Sequence, residues 1–145
     1  MSANPANGEK PRFVLDTSAL LTLSGDEAGA GTVEALLIKS RRREADVYLS
    51  FISVMEAGYK AYQARGEDGL AQLLGYLEEL PVTRVDVNDA LIALAARMKG
   101  AYRLSVADAW ILATAKQLQA SLVHKDPEFE QAKDDIVLHT LPYRS

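Results

Sequence analysis

Residues Arg12 to Leu21 read RFVLDTSALL: a short apolar run, an acid, two hydroxyl residues and a second apolar run. A strand buried on both faces shows a continuous apolar run and no alternation, so Arg12 to Leu15 predicts a short interior strand that ends at Asp16. Asp16 then has the chemistry of an N-cap for a helix beginning at Thr17. Outward from this stretch the period of the apolar residues keeps switching. A helix is predicted over Thr32 to Arg43, a strand over Asp46 to Leu49 (DVYL), and two helices, Val54 to Arg65 and Leu70 to Glu79, joined at Gly66. After Pro81 the β-branched run Val82 to Val87 (VTRVDV) predicts a third strand, and Asn88 caps a helix running to Lys99. Ser105 opens a helix to Gln119, and Leu122 to His124 and Ile136 to His139 complete a set of about five strands. Short buried strands joined through helices imply an α/β fold with a mostly parallel sheet covered on both faces.

The bulk properties are those of one ordinary domain. The chain has 145 residues, 48% hydrophobic and 25% charged, and no Cys. A thiolate zinc cluster, a Cys nucleophile and a disulfide framework are therefore excluded, and cytoplasmic residence is the default expectation. Met1 to Lys10 (MSANPANGEK) lacks the apolar stretch of a secretory signal, so residues 1–10 are expected to form a disordered tail and residues 11–145 a single domain. The longest apolar runs fall far short of the ~20 residues that span a bilayer, and no membrane association is expected. With 16 basic and 20 acidic residues the net charge is −4, which argues against nucleic acid as a partner, since phosphate contacts are made mostly by Lys and Arg.

Four acids qualify that argument. Asp16 in LDTSALL, Glu56 in SVMEAGY, Asp108 in SVADAWILATA and Asp126 in HKDPEF each stand where a strand or loop passes into a helix. In an open parallel sheet such junctions lie along the carboxyl edge, where ligands bind. Each acid also has a capping explanation. Asp16 and Asp126 suit N-caps, the latter followed by Pro at the first helical position. Ser53 with Glu56, and Ser105 with Asp108, have capping-box spacing. The apolar flanks Val14-Leu15, Val54-Met55 and Ala107-Ala109-Trp110 tend to bury these carboxylates, and a buried carboxylate needs a compensating partner. Clustered carboxylates with no Cys and two His favour a hard divalent cation, Mg²⁺ or Mn²⁺, over Zn²⁺.

These four motifs, in this order over roughly Arg12 to Pro142, resemble the acidic motifs of the PIN-domain ribonucleases, and within them the VapC-like toxins of prokaryotic toxin–antitoxin pairs. The resemblance implies a three-layer α/β/α sandwich and an Mg²⁺- or Mn²⁺-dependent endoribonuclease. It makes Asp16, Glu56, Asp108 and Asp126 the catalytic and metal-site acids, with Thr17 and Ser18 as polar support. Asp16 and Asp108 are the strongest candidates for direct ligands; Glu56 either ligates through water or orients the nucleophile. His124 stands where the family often has Thr or Ser, and Glu128 is the substitute if Asp126 only caps its helix. A small cognate antitoxin that blocks the cleft, by way of an inserted Arg, and a homodimer are further implications.

The densest basic run, Lys39, Arg41, Arg42 and Arg43, is the candidate RNA-binding patch; it equally suits a solvated helix C-terminus. Lys60, Arg65, Arg97, Lys99 and Arg103 are further candidates, whereas Asp126 to Asp135 carries five acids and one Lys. His124 and His139 read as packing or backbone-bonding residues and Trp110 as core or subunit interface, with Tyr59, Tyr62 and Tyr102 open. A phosphatase built on an Asp nucleophile wants a second acid at the position of Ser18, and a nucleotide kinase wants a Gly-rich phosphate loop that is missing. The rival from another class is a catalytically silent module of the same fold that binds RNA or protein.

Overall fold

The computed structural model describes residues 9–25 and 27–143. Most of the expected N-terminal tail therefore lies outside the described residues; of its last two, Lys10 pairs with Asp46 at 3.2 Å. Five strands, β1 (Arg12–Leu15), β2 (Asp46–Ser50), β3 (Thr83–Val85), β4 (Ser121–His124) and β5 (Leu138–Thr140), form one sheet in the order β3-β2-β1-β4-β5. Every pairing is parallel. Helices α1 (Thr17–Gly25), α2 (Ala30–Arg41), α3 (Phe51–Glu79), α4 (Asp89–Ala101) and α5 (Val106–Leu118) make the crossovers, and a 3-10 helix spans Pro127–Ala132.

The three layers follow from the alternation of side chains along the central strands. Val14 and Leu122 face a cluster that contains Leu91, Met98, Leu104, Ile111, Leu112 and Phe129, mainly from α4 and α5. Phe13, Leu15, Leu49 and Val123 face the opposite cluster, where Leu20, Val33, Leu36 and Leu77 of α1, α2 and α3 pack. β1 is thus covered on both sides, which is why its sequence shows no polar alternation. No helix among the described residues is long and apolar enough to cross a membrane.

Several boundaries differ from expectation for local reasons. α2 starts at Ala30, because Gly29 at φ 98 turns the chain into it, and it ends at Arg41, with Arg43 at φ 61 reversing the chain toward β2. α3 starts at Phe51 and not at Val54, because the Ser50 hydroxyl accepts the Ile52 amide at 3.2 Å. Its expected break is present: Arg65 (φ −141, ψ 16) and Gly66 (φ 64, ψ −152) leave helical geometry. Gly66 occupies a region that only glycine enters freely. The two halves then close so tightly that a Cβ on Gly69 would stand 2.6 Å from the Ala61 carbonyl oxygen. The third strand is only Thr83–Val85, an edge strand from which Asp86 turns away to pair with Arg84 at 2.7 Å. β5 begins at Leu138, two residues late, because the Asp135 and Ile136 amides still donate back to the Ala132 carbonyl at 2.9 Å.

Candidate functional site

β1 and β4 are neighbours at the point where the strand order reverses direction, and Asp16 and Asp126 follow them on the carboxyl edge of the sheet. Such a switch point is where open α/β sheets open a crevice. Here a cleft of about 540 Å³ is lined by Asp16, Glu56, Asp108 and Asp126, together with Thr17, Ser18, Lys60, Lys125 and Tyr143. The four motif acids, 110 residues apart at their extremes in the chain, therefore face one space.

Asp16 is buried, at 3% exposure. Its amide donates to the Val123 carbonyl at 2.9 Å, which seats it between β1 and β4. Its Oδ1 accepts the Ala19 amide at 2.6 Å, and the Ser18 hydroxyl lies 2.8 Å from both carboxylate oxygens. Despite these donors, burial pushes the Asp16 carboxyl up from 3.8 to about 7, with the charge of Asp108 adding to the rise. Asp108, half-buried in the first turn of α5, is raised to about 6, again mainly by burial and then by the charges of Asp126 and Glu56. Two carboxyls held above the ordinary range by desolvation and like charge are the condition that a bound cation relieves.

The other acids differ in support. The Thr17 hydroxyl, buried, donates to Glu56 Oε1 at 2.6 Å and lies 3.0 Å from Ser53 Oγ. The capping-box reading of Ser53 with Glu56 fails, because Ser50 caps α3 and Ser53 lies inside the helix. Ser105 does cap α5, accepting the Asp108 amide at 3.1 Å. Asp126 caps the 3-10 helix, with Oδ1 accepting the Glu128 amide at 2.9 Å and Pro127 at the first position. Glu128 joins the cluster: Asp108, Asp126 and Glu128 each offer a carboxylate oxygen, all within 4.8 Å of one another. Three hard oxygen donors at that spacing, the raised Asp108 among them and the raised Asp16 lining the same cleft, fit a divalent cation such as Mg²⁺ or Mn²⁺ and offer nothing to a soft metal.

His124 is fully buried, and its Nδ1 accepts the Asp126 amide at 3.1 Å. Nε2 lies 3.0 Å from Thr140 Oγ1. An accepting Nδ1 assigns the ring proton to Nε2, which donates to Thr140, so the neutral ring ties the Asp126 backbone to β5. Burial pushes its pKa down, in keeping with that neutral form. His139 packs 6.2 Å from the Phe13 ring, and its buried Nδ1 has no hydrogen-bond partner among the described residues. Trp110 packs edge-on against Phe51 at 5.2 Å, half-buried and outside the cleft lining.

The basic run is not among the cleft residues. Lys39, Arg41, Arg42 and Arg43 close α2 just before Asp46, which is in register with Arg12 at the amino end of β1. The acids lie beyond the other end of that strand, about 13 Å away for four residues of extended chain. Among the described residues, the cations that line the cleft are Lys60, on α3 one turn beyond Glu56, and Lys125. Glu27, which also lines it, sits in a polar turn with no sequence signal, and Tyr143 lies near the chain end.

A family model described as PIN domain matches residues 13–135. No curated protein sequence matches significantly. Among solved structures, the chain is similar to VapBC2 from Rickettsia felis bound to a promoter DNA fragment, with a TM-score of 0.70 at 13% identity, covering 90% of this chain and 98% of that one. VapBC-1 from nontypeable Haemophilus influenzae gives 0.68 at 20% identity, covering 89% and 97%. VapC20 from Mycobacterium tuberculosis, a sarcin-ricin loop cleaving toxin, gives 0.65 at 18% identity, covering 83% and 94%.

Proposed function

Because the chain belongs to the PIN-domain family, we propose that its acidic cleft is a metal-dependent endoribonuclease site, and that the protein is the toxin of a toxin–antitoxin pair. The observation that carries the reading is the convergence of Asp16, Glu56, Asp108 and Asp126 on one cleft in which burial and mutual repulsion raise two carboxyls. Asp16, Asp108 and Asp126 would hold Mg²⁺ or Mn²⁺, with Glu128 in reach of the last two. When bound, the cation supplies a lowered pKa for water and offsets charge on the phosphate.

The chain's own residues do the rest. Ser18 and the Ala19 amide hold Asp16 in one orientation. Thr17 occupies one oxygen of Glu56 and leaves the other to orient the attacking water. His124 fixes the backbone of Asp126. Lys60 offers a cation to RNA phosphates at the cleft wall. An antitoxin that inhibits this site has a natural ligand for it in an Arg side chain, whose planar fork pairs with carboxylates. The likeness to the VapBC proteins of Rickettsia felis and Haemophilus influenzae supports such a partner; a homodimer is part of the same reading.

Incubation of the purified protein with single-stranded RNA tests the activity. Cleavage is expected with Mn²⁺ or Mg²⁺, and its loss with EDTA or in Asp108→Asn. Cleavage indifferent to both, or no cleavage and no metal uptake, overturns the nuclease reading in favour of a silent binding module. Growth inhibition on expression, relieved by an adjacently encoded small protein, tests the toxin role.

A further inference from the structure

Lys125 has a nearly buried side chain, 5% exposed, at the acidic cleft, and its ammonium is held at the Glu27 side of it. Nζ lies 3.2 Å from Glu27 Oε1 and donates to the Ala28 carbonyl at 3.0 Å. The Lys125 backbone does face the site: its amide donates to Ser18 Oγ at 3.3 Å and is also a donor to the Asp16 carboxylate. One residue thus joins three pieces of chain. Its side chain grips the entry to α2, its amide grips the start of α1, and its peptide bond leads directly into Asp126.

The anchor is itself braced. Gly29, the next residue after Ala28, has φ 98 and packs so closely that a Cβ there would come 3.2 Å from Leu141 Cβ. A lysine pinned at such a point transmits position, since a buried ammonium that satisfies a carboxylate and a carbonyl has little freedom to move.

We infer that the Lys125–Glu27 pair is a clasp that holds Asp126 in register with Asp16 across the cleft, which makes Lys125 a positioning residue of the metal site. The inference rests on the metal-site reading above. Outer-shell partners of metal ligands typically change metal affinity 10- to 100-fold when removed, although here the link runs through backbone and not through a side-chain bond to the ligand.

Calorimetric titration of Mn²⁺ into the wild type, Lys125→Met and the double variant Lys125→Met/Glu27→Gln, with Tm measured for each in EDTA, tests the clasp. Lys125→Met is expected to lower Tm, because it takes the ammonium away from the Glu27 carboxylate, and to weaken Mn²⁺ binding about tenfold. The double variant removes both charges and should regain Tm without regaining affinity, an outcome that a purely structural pair does not produce. If Lys125→Met does not fold, the double variant carries the test. Mn²⁺ affinity within twofold of wild type in either folded variant overturns the clasp alone; a wild type that takes up no Mn²⁺ overturns the metal reading and the clasp together.

Discussion

Replacing Asp16 with Asn should stabilise the metal-free protein at pH 8 while abolishing its metal response. Asp16 is 3% exposed, and its carboxyl titrates at about 7 in the folded protein against an ordinary 3.8. A carboxyl whose folded pKa is raised binds its proton more tightly in the native state. Stability contributed by this group is therefore intact below pH 3.8, falls as pH rises from there, and is fully lost above about 7. At 1.36 kcal/mol per tenfold change in proton affinity, the full loss is about 4 kcal/mol, an upper limit that local relaxation and water entry reduce. Asn is neutral at every pH, keeps an acceptor oxygen for the Ala19 amide and caps as well as Asp. Urea or thermal unfolding in EDTA should place Asp16→Asn about 2–4 kcal/mol above wild type at pH 8, or about 6–12 °C in Tm for a chain of this size. The gap should close toward pH 4. Saturating Mn²⁺ should then raise wild type, by about 2.7 kcal/mol at a hundredfold excess over Kd, and leave the variant where it was. A variant no more stable than wild type at pH 8, or a gap that does not change with pH, would refute the view that Asp16 is an uncompensated buried acid.

Asp126 should separate capping from chemistry: Asp126→Asn and Asp126→Ala both lose RNA cleavage, but only Ala loses the cap, at a cost of about 1 kcal/mol in urea unfolding. Thr17→Val removes the 2.6 Å donor to Glu56 and should slow cleavage about tenfold with RNA binding unchanged, for a stability loss of about 1 kcal/mol, read from kcat against KM. Gly66→Ala forces a side chain into φ 64, ψ −152 and should cost about 1–3 kcal/mol, seen as a lower Tm. Lys60→Ala should raise KM for RNA severalfold and flatten its salt dependence by about one phosphate contact, whereas Arg42→Ala, at the opposite edge of the sheet, should change neither.

The parts of this fold that could be read from sequence are those in which one residue's chemistry decides a local event. Phe13 to Leu15 had to be interior because three successive apolar residues leave no position for water on either face, and Asn88, Ser105 and Asp126 announce helix starts that the structure realises with bonds of 2.8, 3.1 and 2.9 Å. Gly66 marks a break because its backbone geometry excludes other residues. What could not be read depends on competition or distance. Ser50 and Ser53 are both chemically able to cap α3, and only the end of β2 decides for Ser50. Lys125 and Glu27 are 98 residues apart, and neither has a flanking pattern that points to the other. The basic run shows a related limit: charge density along the chain carries no information about which edge of the sheet a helix terminus occupies, and this run closes α2 away from the cleft lining.

The capping and metal-binding explanations of the four acids, which compete on sequence alone, divide in the structure. Asp16 and Asp126 are caps; Glu56 and Asp108 are not, since Ser50 and Ser105 cap their helices. A carboxylate offers about four lone-pair sites, so an amide bond at one oxygen does not exhaust it. What the cap does is remove rotational freedom: the Ala19 amide at 2.6 Å and the Glu128 amide at 2.9 Å tie two of the acids to helix ends that emerge from adjacent strands. Because β1 and β4 are paired in register, the two caps are held at a separation set by the sheet, and not by flexible loops. Capping is in this way the means by which the cleft is pre-organised, and the energetic opposition sits elsewhere, in the burial that raises Asp16 and Asp108. A site built on rigid caps and uncompensated charge is poised for a cation, since binding relieves the repulsion without having to order the ligands first.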